Sequence, residues 1–184
     1  RNKAMDLCDI QDFIYFLDDD IKLLNPHFLR DLINLVNSKS PHFIGGPVKA
    51  RLPNKIPVWV NANWFSRQYH HDGFGSKRLS GGNFGFSLSK IDPNQRFDEN
   101  LGMKGRKIRV GEEKDFVERY LMLNKDSRIY YSSKLAVEEE FNFDKLTFWY
   151  RIKREFAIGY AGHANHDHEI SKKSFSSFFT LSFT

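Results

Sequence analysis

Phe13-Ile14-Tyr15-Phe16-Leu17-Asp18-Asp19-Asp20 joins five apolar residues to three consecutive carboxylates. A short, continuous apolar run reads as a buried strand. The aspartates then stand at its carboxyl end, where open α/β sheets bind ligands. Three adjacent carboxylates repel one another, so their charge calls for a balance. Hard cations such as Mg²⁺ or Mn²⁺ take oxygen ligands and are often shared with substrate phosphates. Taken alone, the cluster has two readings. It is a divalent-metal site presenting a phosphorylated substrate, or it is a solvated strand end whose Asp20 caps a short helix over Ile21–Leu24.

Working outward, Ala4, Met5, Leu7, Cys8 and Ile10 are spaced as in a short helix before the strand, with Cys8 in its core. After the aspartates, Asn25-Pro26 starts a helix whose inner face is Phe28, Leu29, Leu32, Ile33 and Val36 and which ends near Asn37. Phe43–Val48 predicts one buried strand, with Gly45-Gly46 admitting a close neighbour. Ser80–Leu88 predicts a turn and a third strand. Gly111–Phe116 opens a helix with Phe116, Val117, Tyr120 and Leu121 inward. Arg128–Tyr131 and Leu135–Val137 predict strands, and Leu146–Tyr160 a helix, aromatic on one side and basic on the other. Strands alternating with helices predict an α/β fold with a parallel sheet and a more mixed C-terminal half.

The composition supports one core: 184 residues, 40% hydrophobic, with 18 Phe. A net charge of +5 suits an anionic partner, a nucleotide phosphate or a membrane surface. The positive charges are dispersed, without the basic stripe of a nucleic-acid binder. A single cysteine, Cys8, excludes an intrachain disulfide and a cysteine zinc site, and fits a reducing, cytoplasmic setting. No run is long enough for a membrane span, and no signal peptide is visible. The start at Arg1 and the Ser/Phe/Thr-rich end at Ser174–Thr184 give the expectation of a fragment, or of a chain processed at both ends.

Other polar clusters are candidates for chemistry. Glu112, Glu113 and Asp115 follow Gly111 at a helix start. They complement the helix dipole, or one of them serves as a general base. Gly81-Gly82-Asn83 is a hairpin turn, or backbone that lets a ligand approach. His163, His166 and His168 with Asp167 and Glu169, and His70-His71-Asp72, read as solvated loops or as transition-metal ligands. Glu138-Glu139-Glu140 reads as a solvated strand end. There is no Walker loop, dinucleotide fingerprint or Gly-x-Ser-x-Gly elbow.

The order of five motifs resembles the family 2 glycosyltransferases of the GT-A fold. They are Arg1-Asn2-Lys3-Ala4, Asp18-Asp19-Asp20, Gly81-Gly82-Asn83, Phe97-Asp98-Glu99-Asn100-Leu101-Gly102 and Gly111-Glu112-Glu113-Lys114-Asp115. The resemblance covers residues 1–160 and leaves 161–184 as a polar and aromatic tail. It implies a partial GT-A, Rossmann-like mixed sheet flanked by helices, without the strands that usually precede the Arg-Asn stretch. It implies transfer of a sugar, with inversion, from a nucleotide-diphosphate sugar, a UDP-sugar first, to a hydroxyl on a glycan or lipid-linked acceptor, as in polysaccharide biosynthesis.

By the same resemblance, Asp18 and Asp20 hold Mn²⁺ or Mg²⁺, and Arg1, Asn2, Asp18 and Asp19 bind the donor. Glu113 stands where the family usually has the Asp that deprotonates the acceptor. Trp64, Gly81, Gly82, Asn83 and Glu112 line the acceptor side. The family's frequent His after the last core strand has no counterpart, since Glu138–Glu140 occupy that region. Peripheral contact with a membrane is also expected. The alternative is a non-catalytic binding or interaction module that keeps part of the fold.

Overall fold

The apolar run forms β1 (Phe13–Leu17), as its composition predicts. The computed structural model describes residues 1–67, 71–75, 79–102, 108–125, 128–141 and 143–164, with backbone alone for 162–164. Helix α1 (Asn2–Asp6) precedes β1. Strand β2 (Ile21–Leu23), helix α2 (Phe28–Lys39), and strands β3 (Phe43–Gly45) and β4 (Val48–Arg51) follow. Then come β5 (Gly73–Phe74), β6 (Asn83–Ser87), α3 (Glu112–Leu123), β7 (Ile129–Tyr131), β8 (Val137–Glu140) and α4 (Phe148–Ala164).

The strands build two mixed sheets. The larger has the order β1-β6-β3-β7-β5, and the smaller β2-β8-β4. The architecture is mixed α/β, with helices flanking the sheets in a partial Rossmann-like arrangement. The parallel sheet expected from the early alternation is corrected. Among the described strands, only β3·β7 and β4·β8 pair parallel, and β1 runs antiparallel to β6. The returning partner of β1 arrives from the Gly81-Gly82 turn, far along the chain, where local alternation carries no information.

Alternation along β1 divides the core. Ile14 and Phe16 face one layer with Phe43, Phe84, Phe86, Phe97 and the inner side of α3, Phe116, Val117 and Tyr120. Phe97 stacks on Phe116 with ring centroids 4.1 Å apart. Phe13 and Tyr15 face the other layer with Phe28 and Leu32 of α2, Ile44, Val48 and Val137. Leu29 and Ile33, expected on the inner face of α2, are instead 64% and 58% exposed. The buried stripe is Phe28, Leu32, Leu35 and Val36, which one turn of 3.6 residues sets aside from Leu29 and Ile33.

Other boundaries differ from expectation. Ile21–Leu23 is a strand paired with β8, not a helix capped by Asp20. Phe43–Val48 is two strands in two sheets, because the chain crosses over at Gly46, where a Cβ would lie 2.8 Å from that of Leu135. Ser133–Leu135 is a single 3-10 turn, and Glu138–Glu140 lie within β8 rather than beyond a strand. Cys8 is exposed, just past α1, rather than in the core. Helix α4 runs past residue 160, across the expected start of the tail. Among the described residues, no helix is long and apolar enough to cross a membrane.

Candidate functional site

Asp18, Asp19 and Asp20 occupy the point where the chain leaves the larger sheet at β1 and enters the smaller at β2. The β1·β6 register sets Leu17 opposite Asn83, so the Gly81-Gly82 turn lies beside the aspartates. The Asp18 N–H donates to the Gly82 carbonyl at 3.3 Å. A Cβ at Gly82 would come 2.8 Å from the Asp18 Cγ, and one at Gly81 2.6 Å from the Glu113 Cδ. A Cβ at Gly102 would come 2.6 Å from the Glu112 Cδ. Three glycines therefore leave the space that three carboxylates fill.

Arg1 ties these carboxylates together. Its guanidinium lies 2.6 Å from Glu112, 3.8 Å from Glu113 and 3.9 Å from Asp18, and donates to the Gly81 carbonyl at 2.9 Å. Below it stand the rings of Phe16, Phe84 and Phe97, at 5.6 to 5.7 Å. That geometry adds cation–π attraction to the ion pairs. The neighbouring Asn2 is engaged by backbone. It donates to the Phe97 carbonyl at 3.0 Å and accepts from the Phe97 N–H at 2.9 Å. All five motifs thus meet in space, although they span more than half of the chain.

The electrostatics show crowding. Burial raises the Asp18 carboxyl above its ordinary range, with Asp20 and Glu113 adding repulsion while Arg1 and Arg67 oppose it. Burial also raises Glu112, with Glu113 and Asp18 adding to the shift against the pull of Arg1. One residue, Asp18, therefore feels both the aspartate turn and the start of α3.

Asp20 belongs to a second network that sequence reasoning missed. Lys145 reaches Asp20 at 3.1 Å and Glu139 at 3.6 Å, and Glu139 is also held by Arg67. Burial opposes the Lys145 charge, yet the Asp20 and Glu139 carboxylates raise its pKa overall. A strand reading of Val137–Glu140 would have been the signal. Alternation puts Val137 and Glu139 on one, buried face, and Glu138 and Glu140 on the other, where Arg51 pairs with them.

Other expected site residues fall elsewhere. Asn83 is fully buried. Its amide donates to the carbonyls of Leu135 at 2.8 Å and Pro47 at 3.3 Å, and its oxygen accepts from the Tyr15 hydroxyl at 2.8 Å. Asn83 braces the glycine turn and does not offer a side chain to a ligand. Trp64 packs in a cluster with Val60, Phe65, Phe141 and Leu146, with Arg151 4.7 Å over its ring, and makes no contact with Asp18, Glu112 or Glu113 among the interactions described above. Asp19 is exposed at the tip of the turn. Asp72 anchors Ser132 and Ser133. His70, His166, Asp167, His168 and Glu169 lie outside the described residues, as does the side chain of His163.

Among the described residues, no three His, Cys, Asp or Glu side chains converge to enclose a metal ion. The half-exposed carboxylates of Asp18 and Asp20 nevertheless fit a hard cation that takes one or two protein oxygens and completes its shell with phosphate and water. Their mutual repulsion would be relieved by such an ion. Comparison with protein-family models and with curated proteins returns no match to this chain.

Proposed function

We propose that the chain carries the catalytic part of an inverting, metal-dependent glycosyltransferase acting on a nucleotide-diphosphate sugar. One observation carries this reading. Arg1 and the Gly81-Gly82 turn join the aspartates after β1 to Glu112 and Glu113 at the start of α3. An anion-balancing site and a candidate base thereby share one locus.

Asp18 and Asp20 would hold Mn²⁺ or Mg²⁺, which when bound supplies charge neutralisation for the departing diphosphate. Glu113 accepts the proton of the acceptor hydroxyl as its oxygen bonds to the anomeric carbon. The bond from that carbon to the diphosphate oxygen breaks on the opposite face, which inverts the centre. Arg1 lies closer to Glu112 than to Glu113, so Glu112 takes the stronger ion pair. A UDP-sugar donor, a glycan or lipid-linked acceptor and a cytoplasmic setting belong to the same reading.

Glu113→Gln tests it. Transfer from a UDP-sugar panel should fall by about 10²–10⁴-fold, the usual contribution of a positioned base, with donor binding retained. Loss of both would assign Glu113 a structural role.

A second reading, a binding module without turnover, is favoured by the protein cations already seated beside the aspartates. Arg1 serves Asp18, Glu112 and Glu113, and Lys145 serves Asp20. Donor binding that is unaffected by Mn²⁺, without transfer, would support it.

A further inference from the structure

The outer side of α4 carries Trp149, Lys153, Phe156 and Tyr160, spaced so that all four fall on one helical stripe. Trp149, Phe156 and Tyr160 are 70%, 76% and 60% exposed. Phe148 extends the patch and meets Trp59 edge-on, beside the exposed Val58. The side of the helix next to this stripe is packed through Ala157 and Ala161, the latter against Gly111. The aromatic stripe is thus the face that remains after α4 has docked on its own protein.

The charge on this face is one-sided. Glu155 is the only acid in α4, and it pairs with Arg151 at 2.6 Å. The exposed stripe keeps Lys153, and Arg154 flanks it, with no carboxylate among them. Trp and Tyr favour the headgroup level of a bilayer. A lysine between them can lay its stem on the apolar surface and hold its ammonium among lipid phosphates. Beyond Asp167 and Glu169, the sequence returns to basic and aromatic residues with Lys172, Lys173, Phe175, Phe178, Phe179 and Phe183.

We propose that the Trp149–Lys153–Phe156–Tyr160 face of α4 seats the protein on an anionic lipid surface. The helix lies in the interface plane and does not span it. The contact between Ala161 and Gly111 then sets the lipid surface next to the helix that begins with Glu112 and Glu113. The proposal is independent of the transferase reading, because its test measures binding alone.

The full chain is floated with vesicles of phosphatidylcholine, alone or with about a third phosphatidylglycerol. Binding to the anionic vesicles should be about tenfold stronger and should weaken with added salt. Phe156→Ser with Tyr160→Ser should lower it about tenfold, and so should Lys153→Glu alone, with thermal melts unchanged because these side chains are exposed. Equal binding to both vesicle types, no binding to either, or indifference to both sets of substitutions would overturn the proposal. So would a dimer in sedimentation that the same substitutions dissociate, since the face would then belong to a second copy.

Discussion

Gly82 lies so close to Asp18 that a Cβ at position 82 would stand 2.8 Å from the Asp18 Cγ. Gly82 has no positive φ, so space and not backbone conformation requires glycine there. The turn and the aspartates are a single fitted unit. Gly82→Ala should therefore displace Asp18. The expected outcome is a loss of donor affinity of at least about tenfold at a stability cost of about 1–3 kcal/mol, the usual range for overpacking. Calorimetry with a UDP-sugar and a thermal melt read the two effects separately.

Asp18 has a folded pKa raised above its unfolded value, chiefly by burial. The sign follows from that direction. Its contribution is fully favourable below the unfolded pKa, near pH 4, and is lost as pH rises through the folded value. Near neutrality the ionised carboxylate is therefore a burden on the fold. Asp18→Asn should melt higher than the wild type at pH 7, and the difference should vanish below about pH 4. Melting curves from pH 3 to pH 8 would show a constant difference if the carboxylate were unstrained.

Arg1 answers that strain. It stands within ion-pair distance of Asp18, Glu112 and Glu113, and its side chain is 19% exposed. Removing it takes from three facing carboxylates the one guanidinium, among the described residues, that pairs with all of them. Arg1→Ala should destabilise the fold by about 1–3 kcal/mol, less than for a fully buried pair because water reaches the site. Mn²⁺ should restore part of the loss in Arg1→Ala and little in Arg1→Ala combined with Asp18→Asn, as read by melting with and without the ion.

His42 gives a second pH effect, away from the site. Its Nδ1 accepts from the Arg128 N–H at 2.8 Å, and burial lowers its pKa, with Lys90 and Arg128 adding to the shift. A lowered folded pKa means that stability is fully present above the unfolded value, near pH 6.5, and is lost as pH falls toward the folded one. His42→Asn places an amide oxygen where Nδ1 stands and does not titrate. The variant should lose less stability than the wild type between about pH 6.5 and pH 5.

Much of this arrangement was legible before any coordinates. The apolar run of β1, the inner face of α3 and the glycine turn each carry local signals of burial period and composition. The sheet order was not, because β1 pairs with a strand about seventy positions away, and nothing local records that partner. At the site, Asp18, Glu112, Glu113 and Arg1 were identified and do meet. Glu139, Arg67 and Lys145 were missed, because Glu138–Glu140 looked like a solvated end. Only the pairing of β8 with β2 and β4 reveals that Glu139 faces inward. Asn83 and Asn2 were expected to touch ligands. Their amides bond to backbone groups of distant segments and to the side chains of Tyr15 and Glu99, which residue type alone does not disclose.

The central claim is that the carboxylates after β1 present a nucleotide-diphosphate sugar through a divalent ion. Titration calorimetry of a UDP-sugar, with and without Mn²⁺, on the wild type and on Asp20→Asn, tests it most directly. The account predicts binding that requires Mn²⁺ and weakens by at least about tenfold in Asp20→Asn, as the loss of a metal-bound oxygen should do. Binding that is absent, or equally strong without Mn²⁺ and in the variant, would contradict it.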